Sequence, residues 1–143
     1  MKIVDRYLWF VAQAFDSMAY FWPITFILFC LICATAINYF QRENFRLSLR
    51  HLLIFSPLLF IIGALSLGVF LRFSYNETPG IRPPSWPSNL MWGLFWVQIA
   101  LAAFISYRLK EVRWLAINIL GFEVWFAFWC SALADMSVTD DWL

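Results

Sequence analysis

Residues 114–134 read WLAINILGFEVWFAFWCSALA, a run of apolar and small side chains whose one charge is Glu123. An α-helix needs about 20 such residues to cross a hydrocarbon core of about 30 Å, so this stretch is long enough for one crossing. Membrane β-strands would instead alternate in polarity over about ten residues, and this run does not. The pattern recurs upstream: Arg82 and Arg108 bracket one uncharged run, Arg50 and Arg72 a second, and Asp16 and Arg42 a third. Four transmembrane helices are therefore expected, over 22–40, 52–71, 89–107 and 114–134, forming one all-α membrane domain over 1–143.

Composition points the same way. Of 143 residues, 63% are hydrophobic, 21% aromatic and only 13% charged, with a mean hydropathy of +0.73. Soluble domains carry about 25% charged residues. A water-soluble globule could not cover this much apolar surface, and a disordered tail or disulfide-rich secreted module is equally excluded.

Orientation follows from Lys and Arg near the helix ends, which resist translocation. Arg42, Arg46 and Arg50 follow the first span, and Arg108, Lys110 and Arg113 follow the third. Lys2, Arg6, Arg72 and Arg82 lie on the other side. The balance places the first set in the cytoplasm and both termini outside. Asp135, Asp140 and Asp141, on a tail without basic residues, fit that side. Trp9, Tyr20, Trp22, Trp86, Trp92 and Trp142 would mark the outer interface, and Tyr39, Tyr107 and Trp114 the inner one. With no transit segment, the expected location is a bacterial inner membrane.

Before the first span, Ile3, Val4, Tyr7, Leu8, Val11 and Phe15 recur at helical spacing. They predict a short helix over about 1–16, lying in the interface and not cleaved as a signal peptide. Ser17 and Pro23 predict a break before the span itself, because proline favours the first helical turn. Between the second and third spans, residues 76–87 hold four of the six prolines. They predict an extended, non-helical outer connector.

Glu123 is the first candidate for chemistry, since a carboxyl near the centre of a membrane helix is costly and usually faces protein, water or a partner. The third and fourth spans join through a tight turn between Lys110 and Glu111. Gln98 and Glu123 are equally far from that turn, so an antiparallel hairpin brings them to one depth, where a hydrogen bond between them is expected. Asn118 is a further intramembrane polar candidate. Three roles stay open for Glu123: helix glue, contact with a subunit or cofactor, and proton or ion handling.

Small residues let membrane helices approach closely. Gly63 and Ser66 in the second span, Ala100 and Ala103 in the third, and Ala127 and Cys130 in the fourth are the expected helix-packing positions, with Cys30, Cys33 and Ala34 in the first. Cys30 and Cys33 form a C-x-x-C inside a membrane span. A thiol oxidoreductase needs such a pair near the surface and a second pair to exchange with, so all three cysteines read as packing residues. His51 is the only histidine, so one copy cannot supply a bis-histidine haem. No metal site, cofactor, catalytic residue or nucleic-acid partner is implied.

Two functions are expected from this pattern. One is an accessory or structural subunit of a larger membrane complex, packing against partner subunits and lipids, with no enzymatic activity. The alternative is a small homo-oligomeric transporter or channel in which Glu123 handles a proton or cation.

Overall fold

The computed structural model describes residues 3–41, 49–75 and 85–139, with the backbone alone at 49–50 and 72–75. Every element in this part of the chain is helical. The helices are α1 (Ile3–Tyr20), α2 (Trp22–Phe40), α3 (Leu58–Tyr75), α4 (Trp86–Arg108) and α5 (Arg113–Thr139), with short 3-10 segments at Leu49–Phe55 and Lys110–Val112. Four spans are long and apolar enough to cross a membrane: Trp22–Phe40, His51–Leu71, Trp86–Arg108 and Lys110–Thr139.

α5 is the axis of the bundle and packs against each of the other four helices. Its buried residues include Ala116, Leu120, Glu123, Ala127, Cys130, Ala134 and Ser137, spaced alternately four and three apart. α4 answers with Met91, Phe95, Gln98, Ala102 and Ile105. This alternation keeps one stripe of each helix facing the other, as in left-handed bundles. Ile54, Ala102, Ile105, Ala116 and Leu120 form one apolar cluster near the α4–α5 turn. Ile61, Leu65, Val69, Phe95, Ala127, Cys130 and Leu133 form a second further out.

α1 ends at Tyr20, Phe21 caps α2, and Pro23 lies in the first turn of α2, where its missing amide costs no helical hydrogen bond. α1 differs from expectation in both length and burial. It runs to Tyr20, and Phe10, Ala14 and Met18 are buried, with Phe10 and Ala14 in the second cluster. Ile3, Val4, Leu8 and Phe15, from the stripe that the sequence marked, are exposed. The packed face joins Phe10 and Ala14 to Tyr7 and Val11, which the marked stripe did include. Tyr7 Oη donates to Ser66 Oγ at 2.6 Å and ties α1 to α3.

The second span is not one continuous helix. Pro57 has no amide to donate, and Leu53 O is taken instead by Ser56 N at 3.1 Å and Ser56 Oγ at 2.8 Å. Leu59 N and Phe60 N then reach back three residues, to Ser56 O and Pro57 O. The 3-10 segment, the Ser56–Pro57 turn and α3 thus share one span, as expected where a proline interrupts the hydrogen-bond ladder.

Asp135, expected on an acidic tail, lies within α5, where its Oδ2 accepts from Trp92 Nε1 at 3.1 Å. Arg42, Arg46, residues 76–84 of the proline-rich stretch, Asp140, Asp141 and Trp142 lie outside the described residues. The end of that stretch, Trp86 and Pro87, is the first turn of α4 and not extended as expected, because proline is tolerated there.

Candidate functional site: a buried polar layer

Between the two apolar clusters, each of three packed segments contributes one buried residue. Pro57 stands between Ile54 and Ile61, Gln98 between Ala102 and Phe95, and Glu123 between Leu120 and Ala127. Pro57 is fully buried, Gln98 is 1% exposed and Glu123 is 5% exposed. The side chains form a layer across the bundle, near the middle of both the α4 and α5 spans.

The expected hydrogen bond between Gln98 and Glu123 is not formed. Gln98 Nε2 and Glu123 Oε2 are both buried, and neither has a hydrogen-bond partner among the described residues. Such groups are costly, because a buried polar atom gives up its hydrogen bonds to water and must regain them elsewhere. Equal distance from the α4–α5 turn sets the common depth of the two residues. Side-chain pairing is a separate matter of rotamer and reach.

Asn118 has a different role. Its Nδ2 donates to Leu31 O at 3.4 Å and to Thr35 Oγ1 at 3.3 Å, joining α5 to α2. Seven residues on, Trp125 Nε1 donates to Thr25 Oγ1 at 3.2 Å, and Thr25 Oγ1 donates onward to Met18 O at 2.8 Å. These bonds hold α1, α2 and α5 together by satisfied polar groups.

The small residues divide into inward and outward sets. Ala127 and Cys130 are fully buried, and Ser66 is half-buried under the Tyr7 hydroxyl. Ala100 and Ala103 are exposed, and Ala102 takes the inward position on α4. Gly63 has open space where a Cβ would lie. The close approach is at Gly68, where an added Cβ would sit 2.7 Å from Ala134 Cβ and 3.0 Å from Ala134 Cα. Ser137 Oγ donates to Gly68 O at 3.3 Å beside this contact.

Cys30 is exposed and Cys33 half-buried, so the C-x-x-C straddles the edge of the α2 contact instead of packing inward. His51 is half-buried in the 3-10 segment that opens the second span. Among the described residues, no three His, Cys, Asp or Glu side chains converge.

Three features escaped the sequence reading. The Ser56–Pro57 break had a signal, a proline inside an apolar run, and Gly68 had only its small size. The aromatic cluster at the α1–α2 corner depends on tertiary packing: Phe21 stacks on Trp129 at 5.1 Å and Trp125 on Phe128 at 6.1 Å. Comparison with protein-family models, curated proteins and solved structures finds no match to this chain.

Proposed function

We propose that this chain is a small integral membrane protein that serves as an accessory or structural subunit of a larger membrane assembly, in a bacterial inner membrane with both termini outside. The outward surface of α2 carries this reading. Tyr39 is the only residue of α2 that is buried, and the helix is held by a narrow stripe around Thr25, Leu28, Ile32 and Thr35. On its exposed side, Cys30, Ala34 and Asn38 follow one another at four-residue spacing. Small residues at that spacing let a neighbouring helix come close, and an Asn adds a hydrogen-bonding group. Bulky exposed neighbours such as Phe26 and Ile37 flank them. The partners are membrane lipids and other membrane subunits. We assign the chain no enzymatic activity.

The test is the mass of the particle extracted from its native membrane in mild detergent, with mass spectrometry of everything that co-migrates. A particle well above 16.9 kDa holding stoichiometric foreign subunits is the expected result, and Ala34→Phe should release them while leaving the bundle folded. A monomer in native-membrane extracts would overturn this reading.

The second reading, a homo-oligomeric transporter or channel, is favoured by one observation: the unpartnered Gln98 and Glu123 in the middle of the bundle. It predicts that Glu123→Gln abolishes pH-dependent flux in reconstituted vesicles with little loss of folded protein. Normal flux in that variant would sink it.

A further inference from the structure

Three buried features converge on one depth. Glu123 Oε2 and Gln98 Nε2 lack partners, and the third segment of the layer supplies the Ser56–Pro57 break. At such a break the main chain leaves regular α-helical pairing, and Ser56 O and Pro57 O, which each accept one amide, keep a second lone pair that can serve a ligand. A carboxyl, an amide and an interrupted helix in the same layer are the groups from which membrane proteins build sites for small cations.

We propose that Glu123 and Gln98, beside the Ser56–Pro57 break, form a membrane-embedded binding site for a small monovalent cation, either a proton or sodium. The proposal rests on the cation-handling reading above and gives it a site. Glu123 supplies the negative charge, and Gln98 supplies the second buried side chain with an open polar atom at the same level. The carbonyls at the break supply neutral oxygens, and the Ile54 and Ile61 layers on either side exclude bulk water. Either cation offsets the carboxylate charge, which the surrounding apolar layers cannot, but a proton needs one carboxyl oxygen alone and sodium needs the carbonyl oxygens as well.

The surroundings supply no competing charge at this level. α3 brings no ionisable side chain among residues 58–71, and α4 brings none between Trp86 and Ser106. α2 brings the thiols of Cys30 and Cys33, on the opposite side of α5 from the layer. α1 brings Asp5, Arg6, Tyr7 and the exposed Asp16 and Tyr20, and the segment before α3 brings Arg50 and His51 at its inner end. On α5 itself, Arg113 lies inward of Glu123, and Cys130 and Asp135 lie outward. The 3-10 turn adds Lys110 and Glu111 at the inner end of the hairpin.

The test is infrared spectroscopy of the full chain in lipid vesicles. The carboxyl C=O band of Glu123 is assigned by glutamate-selective isotope labelling and by its absence in Glu123→Gln. Should Glu123→Gln not fold, Glu123→Asp identifies the band by its shift. Loss of the band on raising pH, with no effect of sodium, supports the proposal with a proton as the ligand. Loss on adding sodium at fixed pH, with potassium inert, supports it with sodium. In either case Gln98→Leu should move the midpoint of the response. A band that ignores both pH and sodium overturns the proposal, and so does a midpoint that Gln98→Leu leaves in place. A responsive band without flux in vesicles would leave the site standing and remove the transport reading.

Discussion

α5 meets α4 and α2 on opposite faces, and the two contacts treat polar groups differently. On the α2 side Asn118 bonds Leu31 O and Thr35 and Trp125 bonds Thr25, while the Trp129 indole N–H beside them is buried without a partner among the described residues. On the α4 side the contact is wider and mostly apolar, and its polar layer is left open at Gln98 Nε2 and Glu123 Oε2. Partnered groups between membrane helices act as fasteners, and unpartnered ones mark places where stability has been traded for something else. The contrast sets side chains that tie helices together on one face of α5 against a carboxyl and an amide left open on the other.

The strongest way to break the arrangement is at its tightest contact. Gly68→Ala places a Cβ 2.7 Å from Ala134 Cβ, so α3 and α5 must separate. Overpacking of this kind costs typically about 1–3 kcal/mol. The expected outcome is a clear drop in the thermal midpoint in detergent micelles. Gly63→Ala, which meets open space, should leave the midpoint nearly unchanged.

The open polar layer should respond in the opposite direction. Replacing both residues in Gln98→Leu/Glu123→Leu removes two unsatisfied groups and fills the layer with apolar atoms, which is neutral to stabilising when both sides change together. Since an unmade hydrogen bond costs about 1–3 kcal/mol, a rise of about that order is expected. Equilibrium unfolding of the double variant measures it. A large loss of stability would mean that Gln98 and Glu123 act as structural fasteners like Asn118.

Thr25→Val tests the fastened side. It removes the acceptor of Trp125 Nε1 and the donor to Met18 O while keeping the shape of the side chain. About 1 kcal/mol of destabilisation is expected, with α1 and α2 loosened together. Hydrogen exchange of the Met18–Phe21 amides should rise while that of α4 stays constant.

What the sequence made legible is uneven, and the reasons are physical. Span positions follow from runs of apolar residues long enough for a bilayer, so residues 22–40 were placed within the limits of α2 itself. The common depth of Gln98 and Glu123 followed from counting back along two helices from the Lys110–Glu111 turn. What counting could not supply was helix rotation. All faces of these helices are apolar, so hydrophobicity does not distinguish the packed side from the exposed one. Ala100 and Ala103 therefore looked like packing residues when Ala102 is, and Gly63 stood where Gly68 belongs. In α1 the stripe of Ile3, Val4, Tyr7, Leu8, Val11 and Phe15 drew attention, of which Tyr7 and Val11 pack against the core while Phe10 and Ala14 fill the groove offered by α3 and α5. The turn at Pro57 was written in the sequence, but its consequence depends on Gln98 and Glu123 reaching the same layer, which only the packed bundle shows.

The smallest effect, and the sharpest test of the contrast, comes from Asn118→Leu. In membrane proteins an interhelical hydrogen bond averages about 0.6 kcal/mol, because an unfolded helix in lipid finds other partners for the same groups. Asn118 Nδ2 divides its donation between Leu31 O and Thr35 Oγ1 at 3.4 and 3.3 Å, both at the long end of the hydrogen-bond range. Thr35 also donates to Leu31 O at 2.7 Å within its own helix, so it keeps a partner when Asn118 is removed. The expected loss is therefore at or below about 0.6 kcal/mol, readable as a small change in unfolding free energy with the α4–α5 contact unaffected. A loss several times larger would show that α2 depends on this one fastener. Its exposed Cys30–Ala34–Asn38 face would then be expected to need a partner helix to hold α2 in place.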